Sequence, residues 1–142
     1  MPVRRAKRSA RTHTARTGTA RPAFTGGINI ALKLAPHRFD ATLAFYRDVL
    51  GLPVLKNSPT HAVIEHGPNR LHLDRVEHQT HAEVWLEVTT PDAPAAARAL
   101  ARAGVPRRDT PGARVEPLPP GFRGFWIENP AGVVTLVAEP GQ

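Results

Sequence analysis

Five of the seven histidines, His61, His66, His72, His78 and His81, fall within one short stretch of this 142-residue chain. Imidazoles bind metals and change charge near neutrality, so such a cluster invites metal or acid–base chemistry. The spacings match no compact ligand motif. His78-Gln-Thr-His81 is an i,i+3 pair outside any helical pattern and reads as surface. His61 and His66 sit on opposite faces of one short strand, so no more than one of them can look into a shared pocket. The chain has no cysteine, which excludes disulfide frameworks, Cys-ligated zinc, iron–sulfur clusters and thiol nucleophiles. Ser9 and Ser58 lie in no nucleophile context. Gly26-Gly27 precedes a strand instead of opening a helix, so no phosphate loop is present.

The two tryptophans are the other candidates. In Glu83–Val88 the residues alternate, with Val84, Leu86 and Val88 on one face and Glu83, Trp85 and Glu87 on the other. Trp126 shares a face with Glu128. A Trp on the polar side of a curved sheet offers a stacking platform for a planar ligand. Trp85 and Trp126 flanked by Glu83, Glu87 and Glu128 would also suit a flat cation. The competing reading is that both rings simply fill the space.

The elements that position these residues follow from periodicity. Ile28, Ile30, Leu32 and Leu34 alternate with Asn29, Ala31 and Lys33, which predicts a half-buried strand with Asn29 and Lys33 facing away from the apolar stripe. Asp40 then precedes a helix with Leu43, Phe45, Tyr46, Val49 and Leu50 at 3–4 spacing, stopped by Gly51. Phe39, Phe45 and Tyr46 are expected to pack this helix on its sheet. Val54–Lys56, Ala62–His66 and Arg70–Asp74 read as three strands, and His72 faces away from Leu71 and Leu73. The order then repeats: Glu83–Val88 as a strand, Asp92 capping a helix over Ala93–Ala103, Gly104 ending it, and strands at Arg123–Glu128 and Val133–Ala138 around Asn129-Pro-Ala-Gly132. Arg107–Gly121 is Pro-rich and reads as a long loop with a weak strand at best. Asn29 corresponds to Glu83, 54 residues on, and two tandem βαβββ modules account for this.

The formal charge of +7 suggests a nucleic-acid partner until it is split by position. Residues 1–22 hold seven Arg or Lys and no acid, whereas the remaining twelve basic residues match the twelve acidic ones. The tail has almost no large apolar side chains and is expected to be disordered. Three roles are open for it: a transit peptide, an arm making weak salt-sensitive phosphate contacts, or an idle extension. The Ala-, Arg-, Pro- and Gly-heavy usage favours a bacterial source. With no apolar run near the roughly 18 residues of a membrane span, no membrane partner and a cytoplasmic location are expected.

The string Phe45-Tyr46-Arg47-Asp48-Val49-Leu50-Gly51-Leu52, followed by three strands and a repeat closing on Asn129-Pro130-Ala131-Gly132, resembles the vicinal oxygen chelate superfamily. That superfamily includes glyoxalase I, the bleomycin-resistance proteins, fosfomycin-resistance enzymes and extradiol dioxygenases. The resemblance implies an α+β fold over residues 23–140 after the tail at 1–22. Two βαβββ modules, about 26–76 and 81–139, would form half-barrels around a cleft, in a homodimer.

Metal-using members draw ligands from the first and last strand of each module. Carried onto this chain, those places are Asn29, His72, Glu83 and Leu136. Relatives place Glu at the last position, where Leu136 has no donor, and Asn29 is a weak neutral ligand, so His72 and Glu83 remain as metal residues. A catalytic zinc site wants three protein ligands. The expected function is therefore a small-molecule binding protein without a cofactor, its ligand held by Asn29, Lys33, His72, Glu83, Trp85 and Trp126. The alternative is a lyase or dioxygenase using a divalent metal (Zn, Ni, Mn or Fe) on His72 and Glu83.

Overall fold

The structure is a computed structural model that describes residues 23–110 and 114–142. The basic tail and the centre of the Pro-rich segment lie outside the described residues. Along the chain run β1 (Thr25–Gly26), β2 (Asn29–Leu34), α1 (Pro36–Ala44), β3 (Val54–Asn57), β4 (His61–His66), β5 (Asn69–Arg75), β6 (Glu83–Thr89), α2 (Ala93–Arg102), β7 (Gly124–Glu128) and β8 (Val134–Ala138). The strands make one open sheet in the order β3-β4-β5-β2-β6-β8-β7, with β1 paired to β6. The mixed α+β class and the tandem repeat are as expected.

Three boundaries differ from the sequence expectation. The first helix begins at Pro36 and not after Asp40, because proline's fixed φ suits the first helical position. It continues as a π-helical turn over Phe45–Val49, and Gly51 at φ +67° ends it. That turn leaves Phe45 exposed, while Phe39 and Leu43 enter the core. The second module has one strand fewer than the first among the described residues, reading β6-α2-β7-β8. The segment 107–121 carries four prolines, each without the N–H that a ladder position needs. The second helix is capped as its sequence implies: Asp92 Oδ1 accepts from the Ala95 N–H at 2.9 Å.

Each helix covers its own half of the sheet. Phe39 and Leu43 of α1 pack on Leu34, Ala62, Ile64, Leu71 and Leu73. Ala93 and Ala96 of α2 pack on Phe125 and Val137. The helices contact β5 and β7 respectively, so the central pair β2–β6 is only partly covered. Ile30, Leu32 and Val88 pack against the two cores, whereas Ile28, Val84 and Leu86 remain 40–51% exposed. The apolar stripe is therefore open along its middle.

Where β2 meets β6 the strands run antiparallel, with Ala31 opposite Trp85 and Lys33 opposite Glu83. On either side of this pair, β5 runs parallel to β2 and β8 parallel to β6, with Ala31 opposite His72 and Glu87 opposite Leu136. The modules thus meet about a pseudo-twofold axis at Ala31/Trp85, and repeat-equivalent residues lie on opposite sides of it.

Candidate functional site

Strand parity sends Asn29, Ala31 and Lys33 of β2 to the concave face. They are joined there by His61 and Val63 of β4, His72 and Asp74 of β5, and Trp85 and Glu87 of β6. Together they line a cleft of about 1030 Å³.

At one end, Asn29 is the centre of a chain of three side chains. Its amide nitrogen donates to Glu87 Oε2 at 3.0 Å and Oε1 at 3.3 Å, and its Oδ1 lies 2.9 Å from His72 Nε2. A carboxylate only accepts, so the amide NH2 must face Glu87; the amide oxygen then faces His72, whose Nε2 must carry the proton. Burial, then the neighbouring His61 charge, pushes the His72 imidazole below its usual range. Glu83 is not part of this chain and does not line the cleft. It accepts instead from the Trp85 indole N–H at 3.1 Å and faces His81 at 3.4 Å. The indole bond holds its carboxyl below the ordinary range. The convergence expected for Asn29, His72 and Glu83 is in fact that of Asn29, His72 and Glu87. Four residues along a strand amount to about 13 Å, and the pseudo-twofold axis puts Glu83 on the far side.

Beyond Asn29, Lys33 is 3% exposed and carries the densest electrostatic contacts. Its ammonium lies 2.7 Å from Asp74 Oδ2 and 2.6 Å from Glu116 Oε1, and 4.3 Å from the centroid of the Trp85 ring. Asp74 also binds His61, with Oδ1 2.5 Å from Nδ1. Burial raises the Asp74 carboxyl, but the bonds and charges of Lys33 and His61 outweigh it and hold the group below the carboxylate range.

The tryptophans do not stand free as a platform. Trp85 and Trp126 are 8% and 7% exposed and meet edge to face at 5.2 Å. Val115 and Leu118, from the segment after the undescribed residues, pack against them. The Trp126 indole N–H donates to the Glu116 carbonyl at 2.8 Å. With Lys33 already on its face, Trp85 has no room for a flat cation there. At the open end, Lys56 and Arg70 line the cleft and make no ion pair among the described residues. Glu128 turns away to Arg108 at 2.9 Å.

His61, Asp74, Glu87 and Glu116 complete the site; the sequence reading selected none of the four as cleft ligands and took Glu87 only as a flank of the tryptophans. Parity points the first three into the cleft; Glu116 sits in an aperiodic Pro-rich segment and carries no such signal.

A divalent ion at the Asn29 end would need three donors with lone pairs to spare. His72 Nε2 and the Asn29 amide are turned to each other, Glu87 is held by the Asn29 NH2, and Leu136 offers no donor. No group of three His, Cys, Asp or Glu among the described residues is placed to hold a metal ion.

Comparison with known proteins gives the following. Residues 28–134 match the family model described as Glyoxalase/Bleomycin resistance protein/Dioxygenase superfamily. A search of curated proteins gives no match. Among solved structures, methylmalonyl-CoA epimerase from Mycobacterium tuberculosis aligns with TM-score 0.60 and 19% identity, over 90% of this chain and 96% of that one. The Mn(II)-bound glyoxalase from Novosphingobium aromaticivorans aligns with TM-score 0.58 and 21% identity, over 83% of this chain and 40% of that one. The H200C variant of homoprotocatechuate 2,3-dioxygenase from B. fuscum aligns with TM-score 0.57 and 18% identity, over 83% and 33%. This chain therefore spans well under half the length of the last two, and at these identities the likeness is one of fold.

Proposed function

This chain belongs to the Glyoxalase/Bleomycin resistance protein/Dioxygenase superfamily, and from that premise we propose that its cleft binds a small organic anion through protein side chains, without a metal ion at its centre. The observation that carries this reading is the closed chain His72–Asn29–Glu87. It turns the Asn29 amide oxygen and His72 Nε2 toward each other and ties Glu87 to Asn29, next to a leucine where a fourth donor would stand. The sign of the ligand's charge follows from the open end of the cleft. Lys33 offsets one of the two charges of Asp74 and Glu116, Arg123 offsets Glu139 at 2.6 Å, and Glu87 is bonded to the neutral Asn29 amide. That leaves Lys56 and Arg70 as the lining cations outside any ion pair among the described residues, and these two attract an anion. The second reading, a metal-dependent lyase or dioxygenase on His72 and Glu83, has less support because those two side chains stand apart.

The same reading takes the chain as a C2 homodimer, with the uncovered apolar seam at Ile28, Val84 and Leu86 facing a second copy. Sedimentation at increasing concentration measures this directly.

The test of the cleft is titration of purified protein with Ni, Zn, Mn and Fe(II), then with a panel of aliphatic and aromatic carboxylates monitored by Trp fluorescence. The expected result is no stoichiometric metal binding, together with carboxylate binding that Lys56→Ala and Arg70→Ala weaken. Tight metal binding that His72→Ala abolishes overturns the proposal.

A further inference from the structure

The wall formed by β4 and β5 holds a second arrangement, beside the Asn29 chain and touching it through His72. Asp74 is ionised and accepts only, so the His61 Nδ1 at 2.5 Å from it carries the proton. In the neutral ring the lone pair then resides on Nε2, which has no hydrogen-bond partner among the described residues. The His61 backbone is fixed as well: Ser58 Oγ accepts from its N–H at 3.1 Å. The groups facing His61 are Asp74 and His72 from β5, the His72 ring centroid 5.2 Å away. Lys33 of β2 lies behind Asp74, Glu116 behind Lys33, and Lys56 of β3 sits opposite Val63 of β4. Asp74 is itself fixed on its other oxygen by the Lys33 ammonium at 2.7 Å. A carboxylate that fixes the tautomer of an imidazole lining a cavity is the arrangement of a general base.

We propose that His61 is a proton acceptor toward the molecule bound in this cleft, with Asp74 as its positioning residue and Lys33 as the anchor of Asp74. The proposal rests on the reading of the cleft as a metal-free site for a small anion. In the step, the His61 Nε2 lone pair forms an N–H bond with a proton of the ligand. The ligand's bond to that proton breaks and its electron pair stays on the ligand, while the imidazolium charge lies against the Asp74 carboxylate. Return of the proton, to the same atom or another, restores the enzyme without any co-reactant.

The step is testable without the natural ligand. The neutral probe 5-nitrobenzisoxazole gives up its C3 proton to a base: the C–H pair forms the nitrile bond, the N–O bond breaks, and a coloured phenolate is released. The expected result is turnover that falls by roughly tenfold or more in His61→Gln, a variant without a basic ring nitrogen. Asp74→Asn should lower kcat with KM unchanged and shift the His61 15N resonances away from the Nδ1–H tautomer, while His66→Ala changes neither. Equal turnover in the protein and His61→Gln, or an unchanged His61 tautomer in Asp74→Asn, overturns the base. Benzoate serves as the anionic competitor. If benzoate binds but His61→Gln turns over as fast as the parent, the base is wrong and the anion site stands. If His61 is required but benzoate does not slow turnover, the anion reading is wrong and the base stands.

Discussion

The Asn29 amide nitrogen lies 3.0 Å from Glu87 Oε2 and 3.3 Å from Oε1 across the central strand pair, so a neutral amide ties the two modules together on the concave face, at one of the positions where the family resemblance implies a metal ligand. That substitution of a neutral amide for a charged or imidazole donor predicts a route back. Glu87 and Leu136 are opposite one another on parallel strands, and both line the cleft with His72. Replacing Asn29→His and Leu136→Glu together frees Glu87 and supplies two donors, giving two imidazoles and two carboxylates. The double variant should bind Ni or Zn stoichiometrically by calorimetry, with release of protons, while the parent does not. Absence of binding in a folded double variant would show that these four positions do not converge.

Gly27 marks how tightly the first strand closes on this pair. A Cβ added there would overlap the Glu87 carboxylate and meet its Cγ at 2.5 Å, while the Gly27 N–H already donates to the Glu87 carbonyl at 2.8 Å. Gly27→Ala should therefore push Glu87 off Asn29 and cost about 1–3 kcal/mol of stability, as for other overpacked sites. Urea denaturation measures the loss, and the His72 side-chain NMR signals should move as its Asn29 partner shifts. Gly26→Ala, with open space around the added atom, is the control.

The two halves of this site were not equally legible. Periodicity of two placed Asn29, Lys33, His72 and Trp85 on the concave face, since alternation alone decides which way a strand residue points. It could not say which polar residue of β6 faces Asn29, because Glu83 and Glu87 share one parity. The choice depends on antiparallel register between modules, a long-range property without a local signal. Repeat arithmetic pairs Asn29 with Glu83; the twofold axis pairs it with Glu87. The loss of a strand from the second module, and with it the placing of Glu116 on Lys33, belongs to an aperiodic segment whose position is set by Trp126 and the apolar contacts of Val115 and Leu118.

Lys33 holds the cleft wall together, and its two carboxylates are not equivalent. Asp74 is 16% exposed and Glu116 54%. Lys33→Met keeps the apolar stem but leaves Asp74 half buried without its cation. That should cost about 3 kcal/mol, toward the lower end of the range for breaking a buried pair. Glu116→Gln removes a partner that water screens, and should cost about 0–1 kcal/mol. A difference between the two variants of less than about 1 kcal/mol in chemical denaturation would contradict the ranking drawn from burial.

Of the depressed groups, His72 and Asp74 are the most buried and shape the response to acid. Burial first, and the His61 charge second, hold the His72 imidazole below its usual 6.5. The unfolded chain therefore takes up this proton at a higher pH than the folded one. Stability is unaffected above that range and falls as pH drops through it. Asp74 is held below its usual 3.8, burial opposing and Lys33 and His61 prevailing. Its contribution is complete above the unfolded value and is lost only as pH falls further, through the lower folded value. The unfolding free energy should thus be flat above neutrality, decline from about pH 6.5 downward, and decline again in the carboxylate range. His72→Gln, which keeps a donor for Asn29 and has no proton to gain, should remove the first decline and leave the second. Persistence of the first decline in that variant would assign it to another histidine.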